Sequence, residues 1–92
     1  MKTIWKYNLG LTVRDEFEMP RGARILALQT QRSEPCMWVE FEGTPTPLET
    51  RVFETFGTGH PMGEKKREFI GTYQLEDGAL VFHVYELLEV EQ

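Results

Sequence analysis

The sequence predicts an all-β fold: a six-stranded antiparallel sandwich or a small, partly closed barrel with little helix. Three observations support this prediction. Short runs of β-branched and aromatic residues recur along the chain, glycines and prolines separate them, and Asp77-Gly78 stands between two such runs. Asp-Gly in that position favours a two-residue type I′ turn between antiparallel strands. Several short strands joined by turns are typical of sandwiches and small barrels.

The clearest predicted element is the hairpin around Asp77-Gly78, with strands at residues 69–75 and 80–85. A turn that closes between Glu76 and Ala79 fixes its register. The register predicts five facing pairs: Leu75 with Leu80, Tyr73 with Phe82, Gly71 with Val84, Thr72 with His83, and Ile70 with Tyr85. The first three pairs make an apolar face, and the last two lie on the opposite face.

Four further strands are predicted at residues 3–9, 23–31, 36–41 and 49–56. The first alternates polar and apolar side chains, as a half-buried strand does. The strand at 49–56 is apolar on both sides, which predicts a position near the middle of a sheet. Residues 10–18 are expected to form a loop, with a short extended piece at 17–19, and residues 20–22 a turn.

Residues 23–41 are predicted to form a second hairpin, although periodicity alone also allows a helical turn in their first part. Gly22 before them and the strand at 36–41 favour the hairpin. Its tip is Arg32-Ser33 or Ser33-Glu34. The first alternative predicts that Leu28 faces Met37 and Leu26 faces Val39, with Ala27 and Trp38 on the other side.

These faces together define a predicted core. Its members are Trp5, Tyr7, Leu26, Leu28, Met37, Val39, Phe53, Tyr73, Leu75, Leu80, Phe82 and Val84.

Length and composition limit the classes of protein that this chain can belong to. Its 92 residues predict one domain, residues 1–92, and 40% hydrophobic with 27% charged residues is ordinary for a globular protein. The net charge of −5 opposes binding to nucleic acid, and no apolar run is long enough for a membrane span. A single cysteine, Cys36, excludes an intramolecular disulfide and fits a reducing compartment, so a cytoplasmic location is expected.

The strongest candidate site is the glycine loop, residues 57–61. Gly57 and Gly59 can turn backbone N–H groups towards one point, a geometry that holds phosphate or carboxylate. Thr58 would add a hydroxyl and His60 a donor. The alternative, which we weigh more heavily, is a tight corner between strands with no ligand.

Three residues outside the glycine loop complete the predicted ligand site: Arg51, His83 and Tyr85. A histidine in the middle of a strand is more often a packing residue than a base. No spacing of His, Cys or carboxylate residues favours a metal, a cofactor or a catalytic group, so neither an enzyme nor a metal site is expected. Trp38, Tyr85 and Ile70 are assigned to the face opposite the main core, where a second layer or a subunit would cover them.

An ordered set of short motifs resembles a known family. The motifs are Trp5-Lys6-Tyr7, Met19-Pro20, Gly22-Ala23, the glycine loop, Ile70-Gly71-Thr72 and Leu80-Val81-Phe82-His83. The set resembles small all-β proteins carried by bacteriophages and prophages, across nearly the whole chain. Arg32-Ser33 in place of an Asn-Gly turn and the charged run at 64–68 depart from the pattern. The resemblance implies a viral setting and a location in the host cytoplasm, and leaves the function open.

Two functions follow as expectations. In the first, the protein is a counter-defence factor that sequesters an anionic, nucleotide-like small molecule at the glycine loop. In the second, it is an interaction module that docks on a host or virion protein through a strand edge or an aromatic face. Assembly into a homo-oligomer is compatible with both.

Overall fold

A computed structural model describes residues 1–88 of the chain. Seven strands follow one another: β1 (Lys2–Asn8), β2 (Arg14–Pro20), β3 (Arg24–Gln31), β4 (Glu34–Glu42), β5 (Leu48–Gly57), β6 (Arg67–Leu75) and β7 (Leu80–Leu87). A single 3₁₀ turn, Glu76–Gly78, joins β6 to β7, and these 88 residues contain no α-helix.

The strands form two antiparallel sheets that pack face to face. In the three-stranded sheet β4 lies between β1 and β3, and the four-stranded sheet has the order β2-β5-β7-β6. The sheets do not close into a barrel, so the all-β prediction is confirmed in its sandwich form. β5 lies between β2 and β7, which confirms its predicted place inside a sheet.

The additional strand is β2, where the sequence predicts mostly loop. Asp15, Phe17 and Met19 alternate with the exposed Arg14, Glu16 and Glu18 along this strand. The alternation is hard to recognise in the sequence because a carboxylate, Asp15, occupies one of the inward positions. The loop prediction for this segment is therefore wrong.

Both predicted hairpins form, and their tips explain why. Asp77-Gly78 and Arg32-Ser33 all have positive φ, the conformation that a type I′ turn requires at both central residues. The pair Leu28 and Met37 is present, as are all the predicted pairs of the C-terminal hairpin from its tip as far as Gly71.

A β-bulge in each hairpin changes the register away from the tip. In β3 the bulge leaves Leu26 exposed, and the residue before it faces Val39 instead. In β6 the bulge turns Ile70 towards the core, and the residue before it faces Tyr85. The predicted pairs of Leu26 with Val39 and of Ile70 with Tyr85 are wrong for this reason, because one extra residue reverses the side-chain alternation.

The core lies between the inner faces of the two sheets. Its fully buried members include Met19, Met37, Val39, Phe53 and Val84. Three predicted core residues are exposed instead, each on an edge strand, a bulge or a strand end: Trp5, Leu26 and Leu80. Among residues 1–88, further buried apolar residues lie outside the predicted core; they include Leu9, Met19, Ala23, Cys36, Phe41, Val52 and Leu87.

Specific contacts fix how the sheets are aligned. The Tyr7 ring of β1 meets the Phe17 ring of β2 edge to face, with centroids 5.3 Å apart. On the other side of the sandwich, β3 lies so close to β6 that a Cβ on Gly71 would stand 3.2 Å from the Leu28 side chain. The segment between β1 and β2 crosses from one sheet to the other, over the end of the sandwich where β5 finishes.

Candidate functional site

The structure places the seven predicted ligand residues in separate positions. Gly57 and His60 lie at the end of the sandwich where β5 finishes, and Gly59 is exposed in the glycine loop. Thr58, His83 and Tyr85 lie on the outer face of the four-stranded sheet. Arg51 lies near the opposite end of the sandwich. At about 3.3 Å per residue, residues 51 to 57 of β5 span about 20 Å. No single ligand pocket of the described residues therefore contains all seven side chains.

Arg51 has its charge matched within the protein. Its guanidinium donates to both carboxylate oxygens of Glu86 at 2.7 Å and also donates to the carbonyl of Ala23. Both side chains are mostly buried, at 17% and 11% exposed. The hydrogen bonds that Arg51 donates to Glu86 raise the pKa of Arg51 above its ordinary value. This geometry makes Arg51 a structural cation rather than one available to an anionic ligand.

His83 is held by two hydroxyl groups. Its Nε2 atom lies 2.9 Å from Thr58 Oγ1, and its Nδ1 atom lies 2.9 Å from Thr72 Oγ1. Tyr85 lies on the same face, with its ring 5.3 Å from the ring of Phe69. Because both imidazole nitrogens have partners, His83 fastens the start of the glycine loop to the outer face of the sheet.

The glycine loop directs two of its N–H groups to its own surroundings. The N–H of Thr58 donates to the carbonyl of Val81 at 3.3 Å, and that of His60 donates to the carbonyl of Gly57 at 3.1 Å. Gly59 has φ +86°, which an L side chain resists, although nothing lies within 4 Å of the position of its missing Cβ. The loop is therefore a tight corner that needs glycine at position 59, and two of its N–H groups are already used within the protein.

The segment after the glycine loop is organised by Arg67, which the sequence indicated only as part of a charged run. Its guanidinium donates to Glu54 at 2.7 Å and to the carbonyls of Met62 and Gly63 at 2.8 and 3.2 Å. It also lies over the ring of Phe56, 5.0 Å from the centroid. The nearly buried guanidinium of Arg67 thus holds Met62 and Gly63 against the outer face of the four-stranded sheet.

A cavity of about 190 Å³, here called the end cavity, lies at the end of the sandwich under the β1–β2 segment. Its lining consists of Leu11, Thr12, Val13, Thr55, Gly57, His60, Tyr73 and Phe82. The rings of Tyr73 and Phe82 lie 5.5 Å apart and form one wall. The imidazole of His60 packs so closely on Gly57 that a Cβ there would stand 3.0 Å from the ring. Gly57 is therefore needed for His60 to occupy this position.

Two buried oxygen atoms at this end have no hydrogen-bond partner among the described residues: Thr55 Oγ1 and Asp15 Oδ2. Thr55 is only 7% exposed, and its N–H donates to the carbonyl of Val13 at 3.1 Å. Asp15 accepts one bond, from the N–H of Gly10 at 3.0 Å, through its other oxygen. Most buried polar atoms in proteins have a partner, so these two are exceptions that need an explanation.

Tyr73 connects Asp15 to the end cavity. Burial raises the pKa of Tyr73, and the nearby negative charge of Asp15 raises it further. Asp15 is outside the cavity lining, but on β2 it faces Phe53, so its carboxylate lies on the inner side of the same end of the sandwich.

The end cavity was not predicted, although two of its signals are present in the sequence. On β5, Thr55 stands between the inward positions of Phe53 and Gly57, where an apolar residue is expected. On β2, Asp15 shares its side of the strand with Phe17. Polar residues at inward positions become visible as anomalies only once the register is known.

The remaining residues singled out in the sequence, Cys36, Trp38 and Ile70, make packing or hydrogen-bond contacts within the protein. Cys36 is fully buried in β4. Trp38 donates from Nε1 to Gln29 at 2.7 Å on the outer face of the three-stranded sheet, whereas Tyr85 is on the outer face of the other sheet and Ile70 packs on the core. These three apolar side chains therefore do not share one face.

Two kinds of feature are absent from residues 1–88. No group of three His, Cys, Asp or Glu side chains in this range is arranged to hold a metal ion. Nor does this part of the chain contain a helix with the length and apolar character needed to cross a membrane.

The fold and the end cavity together define the class of protein: a small antiparallel β-sandwich with a partly open cavity at one end. The chain belongs to the DUF7352 family, described as a domain of unknown function, and the family model matches residues 1–92. No curated protein and no solved structure matches the chain.

Proposed function

We propose that this protein is a small binding protein whose ligand places a ring in the end cavity. The observation that supports this most strongly is the cavity itself, a partly open space with an aromatic wall formed by Tyr73 and Phe82. Ligand sites are typically concave and mostly apolar, with a few polar groups that orient the ligand. His60 and Thr55 supply such groups here.

The volume of the end cavity indicates the size of the ring. Apolar cavities of about 150 Å³ in other proteins accept benzene. At about 190 Å³, the end cavity has room for one small ring system and not for a complete nucleotide. The remainder of a larger ligand would lie outside, at the mouth.

The anionic, nucleotide-like ligand predicted from the sequence fits this arrangement in a modified form. The base-like ring enters the end cavity, and the anionic group stays at the mouth beside the exposed His60. His60 donates to that group, while Arg51 takes no part because Glu86 already neutralises it.

The resemblance to phage and prophage proteins supports a biological role for such binding. A protein that holds a signalling molecule without converting it lowers the concentration of that molecule by mass action. We therefore propose a counter-defence role in the host cytoplasm, in which the protein sequesters a nucleotide-like signal of the host.

A calorimetric titration with purine riboside tests the proposed binding. We expect saturable one-to-one binding to the wild type. Leu11→Ser removes an apolar side chain from the cavity lining and should weaken binding about tenfold, without unfolding, because Leu11 is mostly exposed. Leu48→Ser, at the opposite end of β5, is the matched control and should bind like the wild type. If purine riboside does not bind, the end cavity is not a site for rings of this kind.

A second candidate function, docking on a host or virion protein, is favoured by one surface. Phe69 is 55% exposed and Leu26 40% exposed beside a groove of about 430 Å³ between the edge strands β3 and β6. Both edges carry a bulge, which opposes the addition of a further strand, so a partner would insert side chains. Sedimentation of the wild type and of Phe69→Ser would show whether a second copy is that partner. A monomer at all concentrations excludes self-association through this groove.

A further inference from the structure

The two unpaired oxygens beside the end cavity point to the chemistry of its ligand. Thr55 Oγ1 and Asp15 Oδ2 are both buried without a hydrogen-bond partner among residues 1–88. Leaving a buried polar atom unpaired is unfavourable, more so for a charged group. Two such atoms on adjacent strands of a small protein point to a bound group as their partner.

Both oxygens belong to the same part of the sandwich. Asp15 of β2 faces Phe53 of β5, and Thr55 lies on the same side of β5, one alternation further along. Asp15 also acts electrostatically on Tyr73, which lines the end cavity together with Thr55. Asp15 and Thr55 are thus diagonal neighbours on paired strands, a relation that places residues about 7–8 Å apart, so one bound ring can approach both oxygens.

The carboxylate restricts what that group can be. An ionised carboxylate only accepts hydrogen bonds, whereas a hydroxyl can donate or accept. The N–H of Gly10 orients one oxygen of Asp15 and leaves the other for a second donor. An anion at this position would be repelled, and a group bearing N–H would be bound.

The ligand has to displace one segment to reach these oxygens. Each has almost no accessible surface in this structure, and residues 11–13 lie over this end. Leu11 and Val13 are 78% and 75% exposed, so an outward movement of this segment would remove little apolar burial. The bond from the Thr55 N–H to the carbonyl of Val13 would lengthen or break in that movement.

We infer that the ring held in the end cavity carries an exocyclic amino group, which donates a hydrogen bond to Asp15 and lies beside the Thr55 hydroxyl. This inference rests on the proposed function, since it specifies the ring that the end cavity accepts. The aromatic wall of Tyr73 and Phe82 selects a planar ring, and Asp15 selects the amino-bearing form. Adenosine is the simplest probe of this class.

The test compares two nucleosides that differ only in the amino group, adenosine and purine riboside. Both place the same purine ring in the cavity, so the contribution of ring burial cancels in the ratio of their dissociation constants. The hydrogen bond to a carboxylate should make adenosine bind at least about tenfold more tightly to the wild type.

Asp15→Asn provides the matched variant. Its amide oxygen can still accept from the N–H of Gly10, while the other oxygen becomes an NH₂ group that cannot accept. The preference for adenosine should therefore disappear. Asp77→Asn makes the same change at the exposed hairpin turn and should retain the preference.

The outcomes separate the inference from the proposed function. Equal affinity of the wild type for the two nucleosides would overturn the inference and leave ring binding established. An unchanged preference of Asp15→Asn for adenosine would have the same consequence. Absence of binding by both nucleosides would instead remove the proposed function and the inference with it. If Asp15→Asn does not fold, the wild-type ratio alone decides.

Discussion

Replacing Thr55 by valine should make the protein more stable and at the same time a weaker binder of adenosine. The Thr55 hydroxyl is buried without a hydrogen-bond partner among the described residues, at a position that is 7% exposed. An unpaired buried hydroxyl costs about 1–3 kcal/mol. Valine has nearly the same shape, favours strands equally well, and has no polar atom to desolvate.

The expected gain can be measured as a shift in the midpoint of thermal unfolding. In a domain of about this size, 1 kcal/mol corresponds to about 4–8 °C. We therefore expect Thr55→Val to raise the midpoint of thermal unfolding, measured by circular dichroism, by at least about 4 °C. Thr3→Val, at an exposed position of β1, is the control for strand propensity and should change the midpoint little.

The same variant should lose affinity for adenosine, because the group that lies beside the ligand's amino group is gone. A gain in stability together with a loss of binding is typical of residues retained for function. A lower or unchanged midpoint would refute the reasoning, since it would mean that the Thr55 hydroxyl has a good partner in the ligand-free protein.

Three further predictions concern the surroundings of the site. Arg51→Met should lower the free energy of unfolding by about 3–5 kcal/mol in denaturant titrations, because it leaves Glu86 buried without its partner. The double variant with Glu86→Leu should recover most of that loss. A fully stable Arg51→Met would contradict a structural role for Arg51. Arg67→Lys should speed amide hydrogen exchange in residues 58–66 about tenfold, because lysine cannot reproduce the three contacts of the guanidinium. Unchanged exchange rates would show that another group holds this segment. The free energy of unfolding should decline as the pH rises above about 10, because Tyr73 has a higher pKa in the folded protein and therefore ionises first in the unfolded chain. Tyr73→Phe should reduce this decline. In Asp15→Asn the absorbance titration of Tyr73 should move to lower pH.

The fold was largely predictable from local patterns. Asp77-Gly78 marks the C-terminal hairpin, whereas Arg32-Ser33 is only one of two tips that the sequence allows for the other; the two central residues of each turn have the positive φ that the turn type requires. The two bulges were not predictable, because a bulge adds a residue without changing the composition of the strand. They account for the misplaced Leu26 and Ile70.

The candidate site was predictable only in part. Gly57 and His60 do lie at the end cavity, and their short contact explains why a glycine stands at that position. Arg51 could not be assigned from the sequence, because its partner Glu86 is far away along the chain and only the pairing of β5 with β7 brings them together. Asp15 could not be assigned either, because its inward direction follows from β2, a strand that the sequence did not reveal; the strand that carries Thr55 was predicted, but its pairing with β2 was not.

The central claim is that a ring-bearing ligand enters the end cavity. A two-dimensional amide NMR titration of the wild type with adenosine tests it most directly. The account predicts that the largest shift changes fall on residues 10–15, 55–60 and the facing parts of β6 and β7, and that they saturate together. Changes centred on Arg51 and the groove between β3 and β6, or no changes at all, would contradict it.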